Sequence, residues 1–450
     1  MSFFSALNGV NEPHTAMSII LSSFVDIFSK MGDVFSAVFL VWFIIFPPLL
    51  FFLFKVLWSL HVEDQYASGL KWVLLEIIPP RDIEKSPQLM ESIFSGFAGV
   101  MKTPTVPEVW IKGEFPTSFS LEIASLEGRT HMYVRTQVGF RNLVEAHFYA
   151  QYPDIEIVEV PDYVNLVPKT VPNKDWNLWG ADFGFVKDDL YPIKTYKYFE
   201  ESVTGKMIDP LAGVFEVMGK IGPGQHLWFQ IIASPYTEKW QKTGQVTVDE
   251  FLGKVKEEKQ GIFMRLLSDL KDVFLNIGKG IMGQEVTFAS GETAEKKDEA
   301  PVEFRLTPGE KDVLKALQAN LGKQMFNSRV RFVYVARREV YHKPTGVSAF
   351  IGAIKQFNDF NLNSLKPTDV SKTYAHYIFV DSRLRYRQRR HFNRYIRRNG
   401  DPGHTKIKLS SEELATLFHI PDMAATAPSL TRVVAKRSGA PSNLPIQESE

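Results

Sequence analysis

The sequence predicts an α+β protein: an N-terminal transmembrane helix followed by two β-α-β-type antiparallel-sheet units with their helices on one face. Three observations lead there. Residues 34–54 carry no charge, and sixteen of those twenty-one are Val, Ile, Leu or Phe. Beyond them, short apolar runs and stretches of helical periodicity follow one another in a strand–turn–strand–helix–strand order. A similar order returns in the second half of the chain. At 450 residues the polypeptide exceeds one compact core, so several folding units are expected.

Residues 1–33 hold Met17, Ile20, Leu21, Phe24, Ile27, Phe28 and Met31 at helical spacing. This is expected to be an amphipathic helix lying in the membrane interface, or packed on the protein's own body. The span is drawn over 34–60. Its sixteen large apolar residues favour insertion by on the order of 7 kcal/mol, and the prolines at 47 and 48 take part of that back as a kink. The stretch starts too late and runs too long for a cleaved signal peptide; a re-entrant hairpin turning at Pro47 and Pro48 is the alternative to a span. Lys30 precedes the span while Lys55, Lys71 and Arg81 follow it. The positive-inside rule therefore leans toward a single-pass protein with a cytoplasmic body.

The first α+β unit is placed at 61–165. WVLLEII at 72–78 reads as a buried strand, and Met90, Ile93, Phe94, Phe97 and Val100 form one face of a helix after Pro87. Strands at 119–123 and 131–136 flank a turn at Glu127–Gly128, followed by a helix at 140–152 and a strand at 155–160. The second unit begins within 166–286, with a strand at 226–233. It resumes over 304–400 with a helix at 307–321 capped by Thr307 and Glu310, a strand at 330–336 and a helix at 348–356. Phe263, Leu266, Leu267, Leu270, Phe274 and Ile277 make an amphipathic insertion between them. Residues 287–303 (TFASGETAEKKDEAPVE) read as a flexible loop.

Composition excludes more than it selects. The formal charge is +1 and there is no cysteine, which removes disulfides, thiolate metal sites and cysteine nucleophiles. Gly278, Gly280 and Gly283 match G-x-G-x-x-G by letter but follow a helix instead of a strand, and Gly219, Gly222 and Gly224 read as an ordinary turn. No G-x-x-x-x-G-K-[ST], no H-E-x-x-H and no G-x-S-x-G occurs. No catalytic residue, cofactor or metal is expected, and the protein is read as a non-enzyme.

One stretch stands apart. RLRYRQRRHFNRYIRR at 383–398 holds eight arginines, Arg383, Arg385, Arg387, Arg389, Arg390, Arg394, Arg397 and Arg398, without an acid. Tyr386, Phe392 and Tyr395 are interleaved. Guanidinium forks with aromatic faces suit nucleic acid; anionic lipid headgroups and a solvated or partner-facing helix remain open beside it. In the tail at 401–450, Ser410 and Glu413 can form a capping box, and Leu414, Leu417 and Phe418 share a face that Pro421 ends. These four are read as an exposed partner-docking strip, with a terminal helix packed on its own domain as the alternative.

Several of these stretches together resemble a family. LLEIIPPRDIEKSPQLMESIFSGFAGV at 74–100, FSLEIASLEGRTHMYVR at 119–135 and FRNLVEAHFYAQYPDIEIVEV at 140–160 are similar to the membrane-proximal N-terminal half of conjugation-type ATPases, the type IV secretion, FtsK-related motors. The similarity returns in 209–235, in 306–367 with AIKQFNDFNLNSLKP, and in SSEELATLFHIP at 410–421 with Asn443–Leu444–Pro445. It implies a phosphate-binding loop soon after Pro445, and none is present. The resemblance therefore implies a non-enzymatic, membrane-anchored component of a type IV secretion-like apparatus. Its expected partners are the lipid bilayer and a separately encoded motor ATPase, with DNA and a second copy of the chain left open. A membrane-bound adaptor for nucleic acid or anionic lipid, unrelated to secretion, is the alternative.

Overall fold

The computed structural model describes residues 46–80, 85–100, 104–199, 208–236, 240–252, 306–398 and 406–422, with Val25, Lys102 and Leu430. The expected interfacial helix (save Val25), the amphipathic insertion, the glycine match at 278–283, the loop at 287–303 and residues 443–445 lie outside these. The chain divides into two compact units, 1–70 with 103–115, and 71–102 with 116–450.

In the first unit, helix α1 (Phe46–Gly69) is long and apolar enough to cross a membrane. Phe46, Leu49 to Phe54, Val56, Leu57, Trp58 and Leu60 are all exposed, so the apolar side chains lie around the helix and not along one stripe. That pattern belongs to a helix solvated by lipid or buried among others.

The second unit is built on one antiparallel sheet of nine strands: β1 (Trp72–Ile78), β2 (Phe119–Leu126), β3 (Arg129–Gln137), β4 (Glu156–Glu159), β5 (Trp176–Phe185), β6 (Gln225–Tyr236), β7 (Met325–Arg337), β8 (Leu365–Pro367) and β9 (Ile407–Ser410). Their order is β4-β1-β3-β2-β6-β7-β5-β8, with β9 beside the first residues of β7. Helices α2 (Gln88–Phe97) and α3 (Arg141–Gln151) connect β1 to β2 and β3 to β4. Helices α4 (Ala212–Gly219) and α7 (Ala349–Ile354) do the same from β5 to β6 and from β7 to β8.

Each half is thus β-α-β-β-α-β, with its strands in the order fourth, first, third, second, which is the split βαβ arrangement of ferredoxin-like folds. The second strands of the halves pair antiparallel, Phe119 opposite Ala233 through Leu126 opposite His226, so a pseudo-two-fold axis passes between them. The internal repeat suggested by the sequence is present as topology, with the two units fused into a single sheet. The insertion falls within the second half, where α5 (Trp240–Phe251) and α6 (Pro308–Leu321) follow β6 and precede β7.

The four connecting helices lie on one face, as expected. Val73, Leu75 and Ile77 of β1 and Leu121 and Ile123 of β2 meet Phe94, Phe97, Phe148, Phe215 and Phe350 there. Local signals place the turns and caps. Glu127 and Gly128 both have positive φ, 56° and 90°, which matches a two-residue hairpin to strand twist. Thr307–Glu310 and Ser410–Glu413 each close a capping box.

Two departures matter for function. Helix α8 (Val380–Arg397) covers the opposite face of the sheet, packing Phe392 and Tyr395 with Trp228, Val333 and Val335. Helix α9 (Ser411–Leu417) with β9 belongs to the main core. Leu414, Leu417, Phe418 and Pro421 are all buried, so the expected docking strip is interior. Their helix packs against α2 and the sheet, and Phe418 follows it in extended conformation.

Candidate nucleic-acid interface

Helix α8 opens with Asp381 in its first turn and ends with Arg394 and Arg397 in its last, charges placed to suit the helix dipole. Its period sets one face against the sheet: Gln388, His391, Phe392 and Tyr395. The Phe392 and Tyr395 rings stack on Trp228, centroids 6.3 and 5.6 Å away. Gln388 Nε2 donates to Leu178 O at 2.7 Å and Asn177 Oδ1 at 3.1 Å. His391 Nε2 lies 3.2 Å from Phe332 O. This approach requires Gly180 on β5, where a Cβ would sit 2.4 Å from His391 Cδ2 and 2.8 Å from Phe332 O.

The end of α8 is pinned by a buried charge network. Arg398 turns into left-handed conformation, φ 48°, and inserts its guanidinium between two carboxylates. Nε and Nη2 donate to Glu122 at 2.7 and 3.0 Å, and Nη1 and Nη2 donate to Asp162 at 2.5 and 2.9 Å. Glu122, on the middle of β2, also accepts from Ser120 Oγ at 2.5 Å, Tyr163 OH at 2.7 Å and Gln230 Nε2 at 3.0 Å. Burial, the largest single influence, would raise the Glu122 carboxyl; the Arg398 charge and the hydrogen bonds from Arg398, Ser120 and Tyr163 together outweigh it and hold the group at about 2. Burial would lower the Arg398 guanidinium, and Glu122 lifts it above its ordinary value. Arg398 is therefore committed to the fold and is withdrawn from the candidate contacts.

The other arginines divide by what they touch. Arg387 Nη1 donates to Tyr374 O at 2.7 Å and Lys372 O at 3.4 Å, and Arg383 Nη1 to His376 O at 3.0 Å. These two tie down the segment before the helix. Arg394 is half-buried, and its carbonyl accepts from buried Arg331 at 2.9 Å. Arg385, Arg389, Arg390 and Arg397 are exposed. The Arg385 Nε donates only to Asp381 O, at 3.3 Å, and no carboxylate among the described residues pairs with Arg385, Arg389 or Arg390. Tyr386 stands between them, 63% exposed.

Two hollows flank this ridge. One, about 420 Å³, lies between Arg385, Tyr386, Arg389, Arg390 and Asn393; the other, about 500 Å³, has Tyr386, Arg390 and Arg394 on the helix side and Val370 and Ser371 opposite. Asp369, the acid at its rim, is engaged by Lys372 at 2.8 Å. Of the interleaved aromatics only Tyr386 is available; Phe392 and Tyr395 are fully buried and cannot stack on a ligand.

Sequence reasoning missed the aromatic groups that do accompany the arginines. Tyr377 and Phe379, 89% and 79% exposed, precede α8 with Ile378 between them. Both hold positive φ, 68° and 54°, a conformation uncommon for bulky residues and often kept at ligand-contacting segments. The run YAHYIFV at 374–380, apolar yet abutting eight arginines, was the available signal. Among the described residues no group of three or more His, Asp or Glu could hold a metal ion.

A family model described as Domain of unknown function (DUF8128) matches residues 62–432. No curated protein matches the chain.

Proposed function

We propose, for a chain that belongs to the DUF8128 family, a membrane-anchored platform that binds nucleic acid on the outer face of α8. The observation that carries the reading is the division of α8 into a fixed face and a free one: Gln388, His391, Phe392, Tyr395 and Arg398 hold the helix, leaving Arg385, Arg389 and Arg390 without acidic partners around exposed Tyr386. Arginine forks without local carboxylates attract phosphates. A tyrosine among them offers a stacking surface for a base. In this proposal α1 is a single-pass anchor with the body on the cytoplasmic side. The platform serves a conjugation-like apparatus, as a non-enzymatic component that brings a separately encoded motor ATPase to the bilayer. That part rests on the sequence resemblance alone. Leu414, Leu417, Phe418 and Pro421 have no part in it.

The test uses the full chain in detergent, a fluorescent oligonucleotide and anisotropy. Replacing Arg385, Arg389 and Arg390 with Gln should weaken binding at least tenfold and lower the salt slope by about 2 to 3, the contribution of three phosphate contacts. Arg387 and Arg394 are unsuitable, since they hold backbone carbonyls or the helix itself. Unchanged affinity and slope would remove the nucleic-acid reading. Ile378 and Phe379 beside the arginines favour an anionic lipid surface as the competing occupant, and binding of the wild-type body to anionic vesicles but not to DNA would select it. Co-purification of a motor ATPase with the solubilised chain tests the partner.

A further inference from the structure

In the first unit, residues 104–115 fold against the far end of α1. They form a short turn of helix, Glu108–Lys112, closed by Gly113 at φ 70°. A Cβ at Gly113 would lie 2.1 Å from the Val62 carbonyl oxygen, so the segment lies in direct contact with the helix. Trp58 Nε1 donates to Trp110 O at 2.8 Å, Lys55 Nζ lies 4.8 Å from the Trp110 ring centre, and the Tyr66 and Phe115 rings meet edge to face at 5.4 Å.

The level of this contact along α1 is informative. Exposed apolar side chains run from Phe46 to Leu60 and then stop; Glu63, Asp64 and Gln65 follow. Lys55 is the first charge after Asp33. Trp58, Trp110 and Lys55 therefore meet where the lipid-compatible surface ends. Indole rings and snorkelling lysines settle at that boundary, each with an apolar body and a polar end. In the same segment Val106 and Ile111 are large apolar residues left 72% and 73% exposed.

We propose that residues 104–115 are a second lipid-contacting element, a collar that seats Val106, Trp110 and Ile111 in the headgroup–acyl boundary beside α1. The proposal rests on α1 crossing the bilayer. It fixes the depth of the anchor: Lys55 and Trp58 lie at the boundary, and the fourteen residues that follow Lys55, to Gly69, carry the helix about 21 Å beyond it. Two elements in lipid also resist rotation and tilt, which one helix does not.

The chain has no cysteine, so single cysteines can be placed in the full protein and labelled with an environment-sensitive fluorophore. Phe51→Cys reports the span, Ile111→Cys the collar, and Gln65→Cys, exposed on α1 past the boundary, the aqueous side. In vesicles, the labels at 51 and 111 should be quenched by lipids carrying a nitroxide near the top of the acyl chain and should emit to the blue. The label at 65 should be quenched by iodide. If 51 is reached by lipid but 111 responds only to iodide, the collar is wrong while the span stands. A label at 111 reached by neither quencher lies inside the protein, which also overturns the collar. If 51 responds to iodide alone, the span fails and the collar with it.

Discussion

Replacing Arg398 with Met should strand a negative charge in the sheet and weaken the fold strongly. Glu122 is fully buried, and its five hydrogen bonds include two from Arg398. At about 1.4 kcal/mol per pH unit, the gap between its ordinary 4.5 and about 2 in the fold corresponds to on the order of 3 kcal/mol. Removing one partner of a buried pair typically destabilises by about 3–5 kcal/mol, and the two figures agree. For a unit of this size the melting temperature should fall by on the order of 5–10 °C, read by circular dichroism of the full chain in detergent. The pH dependence has a defined sign. A depressed carboxyl stabilises the fold above its unfolded value, and that contribution fades as pH falls from about 4.5 toward 2. In R398M burial dominates instead, so protonation relieves the stranded charge and the deficit against wild type should shrink from pH 7 to pH 4. Adding Glu122→Gln should recover a large part of the loss, since the amide keeps the Ser120 and Tyr163 oxygens within reach without the charge. A melting temperature equal to wild type, or no recovery in the double variant, would refute the reasoning.

Glu413 should behave in the opposite sense. It accepts from Ser410 N at 2.8 Å and Ile193 N at 3.0 Å, yet burial pushes its carboxyl up to about 7. Stability from such a group is complete below the ordinary 4.5 and is lost as pH rises through 7, so Glu413→Gln should flatten the melting profile between pH 5 and 8; an unchanged slope would count against it. Gly180→Ala should force His391 and the β7 backbone apart and lower the melting temperature by an amount corresponding to about 1–3 kcal/mol, with α8 becoming the first protease-sensitive element. Gly113→Ala should loosen the collar from α1, seen as faster motion of a spin label at residue 111 without a change in the melting of the sheet unit.

Much of the fold was legible because its signals are local. WVLLEII is apolar apart from Glu76, which meets His131 at 2.6 Å, and Glu127–Gly128 and the two capping boxes depend on neighbours in sequence. Strand β5, WNLWGADFGF, is the clearest omission. Gly180, Asp182 and Gly184 break its apolar run, and they are there for reasons a neighbouring element supplies: Gly180 admits His391, and Asp182 lies 3.6 Å from Arg331. The site divides the same way. Eight arginines mark a basic helix, but the guanidinium that belongs to the core is revealed only by an acid 276 residues away. Glu122 amid FSLEIASL was a visible sign that a buried cation must exist somewhere. Periodicity likewise places Leu414, Leu417 and Phe418 on one face and cannot say that α2 covers it.

The most direct test of the account is flotation of the full chain in vesicles of neutral lipid, with labelled DNA, after an alkaline carbonate wash. Wild-type protein should rise with the vesicles and carry DNA, while R385Q/R389Q/R390Q should rise without it. Protein left at the bottom of the gradient, or a triple variant carrying as much DNA as wild type, would contradict it.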